Sequence, residues 1–333
     1  MTDQARTLPP AAQFILTRRI PCAALAVLMF TAVILGVIGL SGIPLLAALM
    51  SLVGLALHML TPVLFALVMF GGGLIYALQV AAIAALAITA ITGFSLMSGM
   101  VFLLLYALLP AVAAATMGRL GGMGRSAQQL ALGLFMATMA ALLASAGSQG
   151  VDLHTFVEQM LAPLFNGLAS SIPAGEQAAL EALEQMNTMT VWVFPGFMAF
   201  SLWMVWWMDL LLARKIAVRY GFFRGDHSEM LLIRFSKAAG VALIVVAALA
   251  NVTDGSVQYI AVSTSIMLGG LLALQGVSVA HVWIKSRGMQ MTLVIMYLLL
   301  LIWSVMILPF IIIGLLDIWF DFRRSMFPAN GEE

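Results

Sequence analysis

The sequence predicts an all-α fold, a polytopic helical membrane protein with eight or nine transmembrane segments. Three observations predict it. Of the 333 residues, 63% are hydrophobic and only 9% charged, and the mean hydropathy is +1.09; a soluble domain carries roughly 25% charged residues to cover its surface. Apolar runs recur along almost the whole length, several reaching the ~18–20 residues that cross a bilayer's hydrocarbon core. The alternation of apolar and polar residues over about ten positions that marks membrane β-barrel strands is absent.

Residues 1–20 are polar and end in Arg18 and Arg19, which the positive-inside rule puts in the cytoplasm. The run 20–40 is too long for a signal-peptide core and no small-x-small cleavage site follows it, so it reads as an uncleaved first span. Residues 43–57 are a short apolar segment ending at His58 and Thr61-Pro62, and His58 reads as an interfacial histidine. Residues 63–90 exceed the length of one span. In their middle stand Gly71, Gly72 and Gly73, which weaken a helix but allow a bend or close helix packing. Residues 99–116 run to Arg119 and Arg125, a second cytoplasmic marker. Four crossings between the two basic ends satisfy the charge rule; five do not.

Residues 130–146 lead outward into the one extended hydrophilic region, 147–188. It holds Asp152, Glu158, Glu176, Glu181 and Glu184 but neither Lys nor Arg, as an exported loop permits. Two amphipathic helices fit it, 151–164 and 174–186, with Pro173 near the start of the second. The region is either a cap on the membrane surface or a lid over an outward-facing cavity. Residues 189–213 form an aromatic-rich span in which Asp209, one turn before Arg214 and Lys215, is expected to pair locally or face water. The loop that follows carries Arg214, Lys215, Arg219, Arg224, Arg234 and Lys237 and is the strongest cytoplasmic marker. Residues 238–252, 257–284 and 291–318 complete the apolar segments. Three full crossings there would put Asp321, Arg323 and Arg324 outside; a cytoplasmic C-terminus, the preferred reading, needs a re-entrant segment or a split at Gly269-Gly270. The chain therefore divides into a cytoplasmic segment 1–20, helices in 21–146, an acidic loop 147–188, helices in 189–318 and an amphipathic tail 319–333.

Little in the chain reads as chemistry. A net charge of +1 gives no electrostatic case for nucleic acid. The single Cys22 excludes an intrachain disulfide, and no Cys/His cluster has metal-ligand spacing. The stretch nearest to a P-loop, Gly124-Arg125-Ser126, has Arg where Lys is required. No HExxH or GxSxG motif occurs, and no nucleophile–base pair is visible, so no catalytic residue, cofactor or metal is expected and the chain does not read as an enzyme. Movement of a solute against a gradient would need an ion gradient or separate ATPase subunits.

Polar side chains inside spans call for an explanation, because an ionisable one costs ~2.5–3.5 kcal/mol on the gentlest insertion scale. Gln275, Ser278 and His281 spread over about 120° of helix surface and can share a face. Two readings stay open. They bond to a neighbouring helix, along a close-packed seam marked by Gly269, Gly270 and Gly276, or they line a pocket and contact a polar solute. Asp317, Asp321, Arg323 and Arg324, interleaved with Trp319, form either an interfacial anchor or a docking surface for a partner.

The segment LQGVSVAHVWIKSRGM (274–289), followed by an apolar stretch ending in GLLDIWFDFRR, resembles the C-terminal signature of the YybS-like family of uncharacterised bacterial polytopic membrane proteins. EQAALEALEQMN before a span and LLLARKIAVRYG after it fit the same pattern, so the resemblance covers roughly the C-terminal half. That family is distantly similar to the S-components of energy-coupling-factor (ECF) transporters, which bind a vitamin or metal from outside and rely on a separate transmembrane subunit and ATPases. The resemblance implies an ECF S-component-like core in the bacterial inner membrane, binding a solute through Gln275, Ser278 and His281. One departure stands against it: the Ala-x-x-x-Ala coupling motif is missing from the first span, where Cys22…Ala26 and Ala32…Gly36 are only small-x-x-x-small. The alternative is a non-transporting scaffold that recruits envelope or cell-division partners through residues 317–324.

Overall fold

Helices follow the apolar runs closely. The computed structural model describes residues 7–39, 44–118, 122–173, 175–225 and 233–323, and all regular structure among them is helical. In order these are α1 (Pro10–Thr17), α2 (Arg19–Gly39), α3 (Pro44–Met59), α4 (Thr61–Ile91), α5 (Leu96–Val101), a π-helical segment (Phe102–Leu108), α6 (Leu109–Gly118), α7 (Gly122–Gln149), α8 (Leu153–Ser170), α9 (Gln177–Arg219), α10 (Lys237–Val252), α11 (Gly255–Ser286), α12 (Gln290–Ile302) and α13 (Ile307–Phe320). Local signals place several starts. Proline occupies the first turn of α1 and α4, where its missing N–H costs nothing. Ser95 and Asp152 cap α5 and α8 by accepting from the N–H of Ser98 and Thr155. Thr155 also donates its hydroxyl to Asp152, and the two bonds hold that carboxyl below the usual carboxylate range.

Five helical stretches among the described residues are long and apolar enough to cross a membrane, or seven if each of two sharply bent pairs counts as one span. The apolar segments expected to make eight or nine spans differ in the structure in three places. Residues 46–57 and 63–90 fall within one helical stretch, Leu46–Ile91, and residue 43 lies outside the described residues. Helix α10 has 16 residues, about 24 Å at 1.5 Å per residue, against a ~30 Å hydrocarbon core. The last apolar run, 291–318, breaks between α12 and α13 with a bend of 117°. The second amphipathic helix expected in the acidic loop is no separate element, because its residues from Gln177 onward are the first turns of α9.

The chain forms two units, one from Met1–Leu134 with Leu202–His227 and the other from Phe135–Ser201 with Ser228–Glu333. In the first, α2 and α3 approach so closely that a Cβ on Gly54 would lie 2.6 Å from the carbonyl oxygen of Ala32. Alanines 77, 81, 84 and 85 of α4 pack with Phe65, Phe102 and the Cys22–Ala26 turn of α2 in the core. Helix α4 is interrupted at Gly73, whose φ of +80° and ψ of 172° lie outside the helical region. That conformation is essentially restricted to glycine, and a side chain there costs about 1–3 kcal/mol. The triplet Gly71-Gly72-Gly73 therefore makes a bend and not the helix seam that was the other reading. A Cβ on Gly73 would meet nothing within 4 Å, and one on Gly71 only the Phe222 ring at 3.8 Å.

In the second unit α13 runs parallel to α11. Gly269 faces Ile311, Leu272 faces Gly314, and Gln275 bonds Asp317, a constant offset of 42. Gly276 and Gly314 mark the crossing, since a Cβ on Gly276 would collide with the Phe310 carbonyl and one on Gly314 with the Leu272 carbonyl. Parallel helices end together, so Lys285 and Arg287 lie at the same end of this unit as Arg323. The broken run α12–α13 supplies the reversal that this arrangement needs, at residues 303–306 and not at Gly269-Gly270, which stay helical within α11. Helix α8 buries Leu153, Val157, Leu161 and Phe165, a stripe repeating every four residues.

Gly276→Val and Gly314→Val should each lower the thermal midpoint of the detergent-solubilised protein, with an overpacking cost of about 1–3 kcal/mol or more. Gly269→Ala, whose Cβ would sit 3.4 Å from a flexible Ile311 terminus, should be near neutral. Equal midpoints in all three, followed by intrinsic fluorescence, would contradict the backbone crossing.

Candidate functional site

At the end of the second unit a carboxylate is buried in apolar surroundings, and the chain folds around it. Asp317 lies in the last turn of α13 and is 0% exposed. Asp321 ends the helix in the left-handed conformation, φ +48° and ψ +58°, donating its N–H to the Asp317 carbonyl. That turn brings the next two residues back over the carboxylate. The Phe322 N–H reaches Asp317 Oδ1 at 3.1 Å, and Arg323 Nη2 reaches Oδ2 at 2.7 Å. From α11, Gln275 donates Nε2–H to the same Oδ2 at 2.7 Å, while its Oε1 accepts from the Phe235 N–H at 2.9 Å. One amide thus joins α11, α13 and the strand-like segment entering α10. Arg234 adds an outer tie, with Nη1 on Asp321 Oδ2 at 2.6 Å and Nη2 on the Ile318 carbonyl at 3.2 Å. That pair is substantially exposed and contributes little; the Asp317–Arg323 pair is almost wholly buried.

Gln275 and His281 engage different partners. Gln275 is wholly buried and engaged in the clasp, and Ser278 is buried. His281 is half-buried and points elsewhere, its Nδ1 2.9 Å from the Tyr297 hydroxyl of α12. Gly269 and Gly276 lie on the α11–α13 contact, whereas Gly270 accommodates the Phe200 ring 2.5 Å from where its Cβ would be. Trp319 lies over Gly240 of α10, and Arg324 falls outside the described residues.

Polar groups in the first unit are less completely satisfied. A cavity of ≈ 420 Å³ opens beside the break in α4, lined by Gln13, Thr17, Gly71, Gly72, Tyr76 and Phe222 among others. The Tyr76 hydroxyl is buried and has no hydrogen-bond partner among the described residues. His58, expected at a membrane interface, instead ties three elements together, with Nδ1 2.8 Å from the Phe30 carbonyl of α2 and Nε2 2.7 Å from the Tyr106 hydroxyl. Tyr106 belongs to the π-helical segment, whose Leu105 carbonyl accepts from Trp206 Nε1 at 2.8 Å. Asp209 is 6% exposed, and its Oδ2 has no hydrogen-bond partner among the described residues. The sequence showed these residues as isolated polar positions; their partners, or lack of them, come from other helices.

Helical runs of membrane-spanning length, polar side chains turned inward and large apolar side chains left exposed along the helices define a multi-pass α-helical membrane protein. The chain belongs to the DUF2232 family, described as a predicted membrane protein family, whose model matches residues 40–318. No curated protein and no solved structure matches it.

Arg323→Met should destabilise the protein by about 3–5 kcal/mol, because it leaves a buried carboxylate uncompensated. Combining it with Asp317→Asn should recover part of that loss. A double-mutant cycle on thermal unfolding measures the coupling, and strict additivity would rule out the clasp.

Proposed function

We propose that this chain is a bacterial inner-membrane protein, with a cytoplasmic N-terminus, that binds a small solute in the manner of an ECF S-component and depends on separate transmembrane and ATPase subunits. The observation that carries the reading is the cavity at the α4 break, with a buried tyrosine hydroxyl lacking a partner beside it. Irregular backbone at membrane depth is tolerated where it lines a cavity or is buried in protein, and transporters build solute sites from helices interrupted in this way. A largely apolar solute carrying one or two hydrogen-bonding atoms suits such a lining. The resemblance of the C-terminal half to the YybS-like family supports the reading, and the missing P-loop accords with energy supplied by partner subunits.

On this reading the solute contact moves from Gln275, Ser278 and His281 to Tyr76, since Gln275 already spends its amide on Asp317 and Phe235. The cavity is lined by α1 and by Phe222 of the basic loop, so the proposed site lies at the end that the basic residues mark as cytoplasmic and departs in this from an S-component, which takes its solute from outside. The scaffold reading rests on a different observation, the exposed Trp319 and Phe320 at the end of α13. The protein extracted under mild conditions should carry a defined small molecule in native mass spectrometry. Tyr76→Phe should weaken its retention about three- to tenfold, the range of one hydrogen bond, while Gln275→Leu should leave retention unchanged. An empty protein from which Trp319 crosslinks to another envelope protein would favour the scaffold instead.

A further inference from the structure

We infer that the second unit holds one anionic phospholipid, its acyl chain in a groove between α11, α12 and α13 and its phosphate on Arg287. The groove has a volume of ≈ 580 Å³, and Val279, Trp283, Thr292, Ile295, Leu299 and Phe310 are among its lining residues. It exists because α12 and α13 are two halves of one apolar run bent by 117°. The α11–α13 backbones touch at Gly276 and Gly314, while α12 stands off. A groove so lined, inside a bilayer, excludes water and accepts hydrocarbon.

Charge at one mouth selects the headgroup. Trp283 lines the groove, and the Arg287 guanidinium lies over its ring at 4.5 Å from the centroid. Lys285, two residues on from Trp283 and so about 160° around α11, is exposed and faces away from the groove. Thr292 brings a hydroxyl to the lining from the first turn of α12, a helix whose N-cap residue Met289 provides no side-chain cap. No Asp or Glu occurs between Asp254 and Asp317. The nearest aspartates of the unit's end, Asp317 and Asp321, are engaged by Arg323 and Arg234. A cation at the mouth of an apolar slot, with no competing acid, complements a phosphate joined to an acyl chain. A zwitterionic lipid carries a choline or ethanolamine cation that Arg287 repels.

The full-length protein is reconstituted with equal amounts of phosphatidylglycerol and phosphatidylcholine, released from the bilayer, and its retained lipid read by native mass spectrometry. Phosphatidylglycerol should be retained preferentially, and Arg287→Gln should reduce its retention about fivefold, the effect of one basic residue near an anionic lipid, whereas Lys285→Gln should leave it unchanged. Ala280→Trp, which fills the groove from α11, should release both lipids; should that variant fail to fold, Leu299→Trp fills it from α12. Equal retention of the two lipids by the wild type would mean non-specific annular lipid and overturn the inference. So would unchanged phosphatidylglycerol retention in the Arg287→Gln variant, or in a folded groove-filled variant.

Discussion

The buried carboxylate of Asp317 is the constraint on which the architecture of the second unit depends. A charge removed from water costs several kcal/mol even after relaxation, and the cost is offset only when charge and every lone pair find partners. Asp317 obtains its partners from three places in the chain: its own C-terminal turn, α11, and through Gln275 the residue entering α10. Each partner fixes something. Arg323 requires the left-handed Asp321, Gln275 fixes the register of α13 against α11, and Phe235 fixes where α10 begins. Such a pair need not raise stability over an apolar equivalent. Its effect here is specification, because a shift of α13 by one residue would leave the carboxylate facing hydrocarbon.

Close backbone contact is the second constraint, and it follows from the solvent. Lipid tails are as apolar as leucine, so helices gain little by burying apolar side chains and associate through van der Waals contact and interhelical hydrogen bonds. Gly276 against Gly314 and Gly54 against Ala32 give that contact within their respective units. The crossing at Gly276 stands one residue from Gln275, so the glycines bring the backbones near enough for a short amide to reach the carboxylate. Packing and polar pairing are one device.

Much of this was legible in the sequence, and the unread part has a physical reason. Apolar periodicity and length located the helices, because in a bilayer every backbone amide must be satisfied within its own segment. The glycines of 269–276 marked a seam, and two of them lie on it. The glycine triplet of α4 was legible as a bend or a seam, but only φ at Gly73 separates the two. Pairing was not legible. Gln275 and Asp317 are 42 residues apart, and nothing local tells a clasped glutamine from a solute-binding one. His58 shows the same difficulty, since its partners Phe30 and Tyr106 lie on other elements. The number of spans was not legible for a related reason: whether 291–318 crosses once or doubles back depends on what α13 finds to pack against.

Function is better sought where polar groups stay unsatisfied than where they are merely buried. Buried polar atoms are nearly always paired, so an orphan that persists in lipid carries a cost without a structural return. In the second unit Gln275 and Asp317 are fully engaged and their chemistry is exhausted by folding. In the first unit the Tyr76 hydroxyl, Trp207 Nε1 and Asp209 Oδ2 have no hydrogen-bond partner among the described residues, and Tyr76 adjoins a cavity large enough to admit one. Asp209 lines none of the cavities described above, so its cost is unexplained by a ligand that could reach it directly. Tyr76 differs in being a neutral group whose one missing bond a solute can supply without moving a charge through hydrocarbon. That asymmetry is why the solute reading attaches to Tyr76 and not to the more conspicuous polar cluster of 275–281.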